Sequence, residues 1–156
     1  MNHELNEQER NKAASRRFHE EVWTKGNLDV IDELFEPDYK VASLPPWRKP
    51  GTQGLKEFIA DNHRMFKGIV STVDDQVAEG DKVATRFHAT GTHVGDLNGP
   101  VGLVKATGKQ VTWKGISIAR YRNGKVIETT GIYDNMDLMQ QLGAVPRPPE
   151  PTPENR

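Results

Sequence analysis

The sequence predicts an α+β fold in which three N-terminal helices cover an antiparallel sheet and a short helix follows the last strand. Three observations predict it. Apolar residues recur at helical spacing in the first part of the chain, and the period changes to strand-like alternation from Ile69 onward. Asn123-Gly124 then marks a tight turn between two long strands, because both residues tolerate the positive φ angles of a type I′ hairpin. Helices grouped ahead of a meander of about four strands, rather than alternating with them, indicate helices laid on one face of the sheet.

The first helix runs from about Gln8 to Thr24, with Ala14, Phe18 and Val22 recurring every four residues and Trp23 beside them. Gly26 stops it and Asn27 caps a second, short helix whose stripe is Leu28, Ile31, Leu34 and Phe35, ended by Pro37. Residues 39–50 carry Pro45, Pro46 and Pro50, so this segment is an extended strand start or a rigid loop. Trp47 within it either covers the core or acts as a lid over a ligand. A third helix, from about Thr52 to Lys67, puts Leu55, Phe58, Ile59, Asn62 and Phe66 on one face with His63 at its margin. An unpaired polar group on a buried stripe costs about 1–3 kcal/mol, so Asn62 or His63 meets either a backbone group or a polar cavity.

Residues 69–79 alternate, Glu79-Gly80-Asp81 turns the chain, and residues 82–92 form a strand. Arg86, His88, Thr90 and Thr92 share one face of it, and Val83, Thr85, Phe87 and Ala89 share the other. If the polar face is the inner face of a curved sheet, Arg86 and His88 line a pocket. A Gly-rich loop at 93–99 and a turn at 105–109 precede the hairpin. On its first strand Val111, Trp113, Gly115, Ser117, Ala119 and Tyr121 share a face. On the return strand Val126, Glu128, Thr130, Ile132 and Asp134 alternate with Ile127, Thr129, Gly131 and Tyr133. A terminal helix starts at Met136 or Leu138 and Gly143 stops it. Residues 1–145 read as one domain, and 146–156 as a Pro-rich tail with five prolines between 146 and 153.

The 156 residues are 35% hydrophobic, with 21 Lys plus Arg against 22 Asp plus Glu. A net charge of −1 gives no electrostatic reason to expect nucleic acid or an anionic membrane as partner. No apolar run approaches the roughly 18–20 residues of a membrane span, the first residues are too polar for a secretory signal, and a cytoplasmic address is expected. The absence of cysteine removes disulfides, thiolate nucleophiles and Cys-based zinc sites. GxGxxG, P-loop, HExxH and GxSxG motifs are missing, and the five histidines show no i, i+4 pairing, so neither metal nor cofactor is expected. What remains is Asp134 at a strand end, the Arg86/His88 pair, and aromatic residues near them. Asp134 is placed either to cap the last helix or, if burial raises its pKa, to act as an acid/base.

Four blocks in order, RFHEEVWTKGNLDVIDELFEPDY, QVAEGDKVATRFHATGTHVGDL, GKQVTWKGISIARYRNGKVIE and the ending D-x-x-x-L-x-x-QLG (Asp134 to Gly143), resemble the SnoaL-like polyketide cyclases, or ester cyclases, of the nuclear transport factor 2-like superfamily. The resemblance implies a cone-shaped, strongly curved antiparallel sheet with a pocket inside, commonly paired as a homodimer through the sheet. It implies cofactor-free acid/base catalysis of an intramolecular aldol closure, or a related dehydration, isomerisation or epoxide opening, on a small, mostly apolar molecule. Asp134 matches the family's acid/base, with His88 or Arg86 stabilising the oxyanion and Trp47, Asn62, His63, Trp113 and Tyr133 as candidate substrate contacts. A small-ligand-binding dimer without catalysis is the alternative on the same scaffold. Two departures stand out: KVASLPPW (Lys40 to Trp47) replaces an Asn-His pair common in the family, and Glu128-Thr129-Thr130 replaces Glu-x-Trp.

Overall fold

A computed structural model of the chain describes residues 2–42, 44–151 and 153. Helix α1 (Asn2–Arg17) continues into a π-helical segment, Phe18–Thr24, followed by α2 (Val30–Leu34), strand β1 (Phe35–Val41) and α3 (Gly51–Met65). Strands β2 (Phe66–Glu79) and β3 (Lys82–His93), a small hairpin of β4 (Leu97–Gly99) and β5 (Gly102–Val104), and the long pair β6 (Gln110–Arg122) and β7 (Lys125–Tyr133) come next, and α4 (Asn135–Gln141) follows.

Five strands form one sheet in the order β1-β7-β6-β3-β2, antiparallel throughout except that β1 runs parallel to β7. The predicted hairpin is its spine: Asn123 (φ 51°) and Gly124 (φ 79°) both take the left-handed backbone that a type I′ turn requires. The architecture is the predicted mixed α+β fold with helices on a curved sheet. The second helix is shorter than expected, because Phe35 already belongs to β1. Pro37 lies within that strand, tolerated because β1 is an edge strand whose missing N–H leaves no ladder bond empty. The third helix ends at Met65, one residue before β2 begins at Phe66.

Strand alternation decides what faces the helices. On β3 every second residue (Val83, Thr85, Phe87, Ala89, Gly91, His93) is buried. On β6 the matching set begins at Val111 and Trp113 and ends at Tyr121. A bulge between Arg120 and Tyr121 shifts the register, pairing Tyr121 with Val126, and thereafter Thr129, Gly131 and Tyr133 share that side. Apolar side chains from α1, the π-helical segment, α2 and α3 close against this face around Val22, Ile31, Ile59 and Phe66, each no more than 2% exposed. No helix among the described residues is long and apolar enough to cross a membrane. Residues 146–151 carry neither helix nor strand and touch the rest through Gln140 to the Pro146 carbonyl (3.4 Å) and Arg147 to Asp137 (3.6 Å).

Candidate functional site

The helices do not fill the concave face. They leave a cavity of about 630 Å³, walled by the inward residues of β3, β6 and β7 on one side and by α1, the π-helical segment and α3 on the other. Its wall is aromatic. Phe66 packs on Trp113 (ring centroids 4.9 Å), His19 on Phe87 (4.7 Å), Phe87 edge-on to Tyr133 (5.9 Å), and Phe35 edge-on to Tyr39 (4.9 Å). Gly115 makes room for this arrangement: a Cβ there would sit 2.7 Å from the Ile132 carbonyl oxygen and 3.1 Å from both the Phe87 and Tyr133 rings.

Polar groups gather in three places. Beside Trp47, the Arg48 guanidinium donates from Nη2 to the Tyr39 hydroxyl (3.2 Å) and lies 4.6 Å from the centre of the Phe58 ring. Burial raises the Tyr39 phenol above its usual pKa, an effect that Arg48 partly opposes, while Tyr133 is 40% exposed at the cavity's edge. Near the hairpin turn, Ser15 bonds Thr85 (2.9 Å), while burial drives the Tyr121 phenol well up, with a hydrogen bond to Ser15 opposing it. Between them, His19 Nδ1 bonds Ser71 Oγ at 2.8 Å. Burial pulls His19 down to about 4, so it is neutral at neutral pH. Among the described residues, no Asp or Glu lines the cavity.

Of the eight residues singled out from the sequence, four line the cavity, three lie on the outer face of the sheet and His63 is on neither. Trp47, Asn62, Trp113 and Tyr133 line the cavity. Trp47 is 74% exposed, which rules out core cover. Asn62 meets a backbone group, donating to the Phe58 carbonyl (2.9 Å), and also lines the mainly apolar cavity. His63 is off the cavity, with its Nε2 buried and without a hydrogen-bond partner. Asp134, Arg86 and His88 correct the expectation of a catalytic trio inside the cone. They share the other parity of their strands and lie on the outer face, in a second hollow with Asp74, Lys114 and Ile116. There His88 Nδ1 pairs with Asp74 (2.8 Å) and Arg86 lies 3.8 Å from the same carboxylate. Asp134 is exposed and accepts the Asp137 backbone N–H at 3.0 Å, the N-cap of α4. Of its two possible roles, the geometry realises the cap.

Arg48, Tyr39, His19, Ser15 and Tyr121 line the cavity but were not singled out from the sequence. Two signals were available: Arg48 follows Trp47 in the proline-stiffened segment, and Ser15, His19 and Trp23 stand four residues apart. No group of three or more His, Cys, Asp or Glu among the described residues could hold a metal ion.

Comparison with known proteins agrees with the fold. No curated protein matches the chain. Among solved structures, AclR from Streptomyces galilaeus, a proposed hydroxylase, superposes with a TM-score of 0.78 at 25% identity, covering 92% of this chain and 91% of its own. A proposed polyketide cyclase from Bacillus cereus gives 0.74 at 28% identity (87% and 82% covered). IdmH from Streptomyces antibioticus, also a proposed polyketide cyclase, gives 0.72 at 28% identity (85% and 98%). The family model for SnoaL-like polyketide cyclases matches residues 13–142, and the chain belongs to that family.

Proposed function

We propose that this chain is a small-molecule enzyme that works inside the cone, by acid/base chemistry of its own side chains and without a cofactor, on a mostly apolar substrate bearing a 1,3-dicarbonyl unit and a further carbonyl. The observation that carries the proposal is the aromatic cavity with a neutral imidazole between two sets of hydroxyls. Family membership favours an intramolecular aldol closure. In that reaction a C–H flanked by two carbonyls loses its proton, the carbanion attacks the carbon of a third carbonyl to form the C–C bond, and the new alkoxide takes up a proton. His19 is the base we assign. With Nδ1–H donated to Ser71, its Nε2 lone pair is free for the substrate. A base this weak suits only the acidic C–H between two carbonyls. The Tyr39 and Tyr133 hydroxyls supply donors for the oxyanion, and the walls hold the chain in a reactive conformer. Epoxide opening would call for paired carboxylates, which the described residues of the cavity wall do not offer.

We also propose that two copies pair through the outer face of the sheet. Ile116, Ile118 and Ile132 are 53%, 45% and 76% exposed there, an apolar cluster that water disfavours.

Turnover of aromatic 1,3-diketones that carry a further ketone within reach of the acidic carbon tests the assignment. His19→Gln should lower kcat by about 100-fold or more, whereas Asp134→Asn should leave it within a factor of about two. Loss of turnover in a well-folded Asp134→Asn protein, with His19→Gln active, would return the acid/base role to the strand-end carboxylate.

A further inference from the structure

Among the described residues, Arg48 is a cation without a counter-ion. Its sequence neighbour Lys49 pairs with Glu57 at 2.9 Å, and Lys56 on the same helix pairs with Asp32 at 2.7 Å. Arg48 has no carboxylate within salt-bridge distance among the described residues, and none lines the cavity it faces. Its neutral contacts use one Nη2 hydrogen, given to Tyr39, and the face of Phe58, while its Nε is buried with no hydrogen-bond partner. A partly buried guanidinium with unused donors is costly unless something anionic completes it, and its planar fork fits the two oxygens of a carboxylate or the chelating pair of an ionised 1,3-diketone. The root of the side chain is held as well: the Arg48 N–H closes a turn onto the Pro45 carbonyl at 3.0 Å, within a proline-stiffened segment. Exposed Trp47 stands next to it on the cavity wall.

We propose that Arg48 is the counter-charge for an anionic oxygen on the ligand, so that the cavity selects an aromatic, mostly apolar molecule carrying one carboxylate or ionised enol rather than its neutral ester or amide. This inference rests on the cavity being the ligand site. It adds the charge that the ligand brings with it. Arg48 acts here as a specificity residue, separate from the proton transfer assigned to His19.

Isothermal titration of the full chain with anthracene-9-carboxylate and with anthracene-9-carboxamide tests it, using 2-acetyl-1,3-indandione as the enolate probe. Wild type should bind the carboxylate, the enolate, or both at least about tenfold tighter than the amide. The two anionic probes tell which oxygen group is preferred. Arg48→Met should abolish that preference while leaving amide affinity unchanged, and Arg48→Lys should keep part of it. Circular dichroism checks that each variant is folded. Equal binding of acid, enolate and amide by wild type, or a preference that survives in Arg48→Met, would overturn the assignment while leaving the cavity as the ligand site. If no probe binds, or if binding is insensitive to Trp113→Ala within the cavity, the ligand-site reading itself falls with it.

Discussion

The two faces of the same three strands are built to different ends. Inward, β3, β6 and β7 present Phe87, Trp113, Tyr121 and Tyr133 to a cavity with no acidic wall residue among the described residues. Outward, one residue along, they present Arg86, His88, Lys114 and Asp134 among exposed isoleucines. The charged groups therefore sit where water can reach them, and the hydrogen-bonding groups inside are mostly neutral. That division follows from dielectric cost: a charge is cheap at the surface and expensive in an apolar hollow unless it is paired. In such a protein the site is better sought among perturbed neutral groups than among visible charge clusters.

The largest effect that would break this contrast lies inward. Phe66 is 2% exposed between His93 and Trp113, so Phe66→Ala should cost about 3–5 kcal/mol in urea unfolding. A loss below about 1 kcal/mol would mean the cavity wall is loosely packed. Next comes pH. His19 has its pKa lowered from 6.5 to about 4, so the unfolded chain binds the extra proton first as pH falls. This contribution is complete above pH 6.5 and lost between there and about pH 4, amounting to on the order of 3 kcal/mol. His19→Gln should flatten that part of a stability-versus-pH curve; an unchanged slope would show the imidazole to be solvated. Smaller still, Asp134→Ala should cost about 1 kcal/mol as a lost helix cap. The smallest effect on stability belongs outside: Ile132→Lys should shift the unfolding free energy by about 0.5 kcal/mol or less. In sedimentation that variant should run as a monomer if the outer face pairs two copies, and wild type sedimenting as a monomer would sink the pairing itself.

Much of the fold was legible because its signals are local. Asn123-Gly124 fixed the hairpin, Gly80 the turn before β3, and the change from a period near four to a period of two separated helices from sheet. The parallel pairing of β1 was not legible, since Pro37 argues against a strand unless its edge position is known. Alternation told correctly which side chains share a face, but not which face closes on the helices. Arg86, His88 and Asp134 were thus grouped correctly and assigned to the wrong side. The bulge at Tyr121 adds to this, because it moves Val126 onto the face of Tyr133 against simple counting. Arg48 stayed hidden for a different reason: its meaning lies in the lack of a partner, and partners are a property of three dimensions.

The π-helical segment carries one more consequence. Asn11, Ser15, His19 and Trp23 stand four residues apart and are all buried. On an ordinary α-helix each such step overshoots a full turn by about 40°, so the row would wind away from the sheet. The wider coil of Phe18–Thr24, with bonds reaching a residue further along, takes up that drift like a vernier. Substitutions on its solvent side leave the row aligned, whereas excising a single residue would swing the imidazole out of the hollow, so this stretch of chain can vary in spelling but not in length.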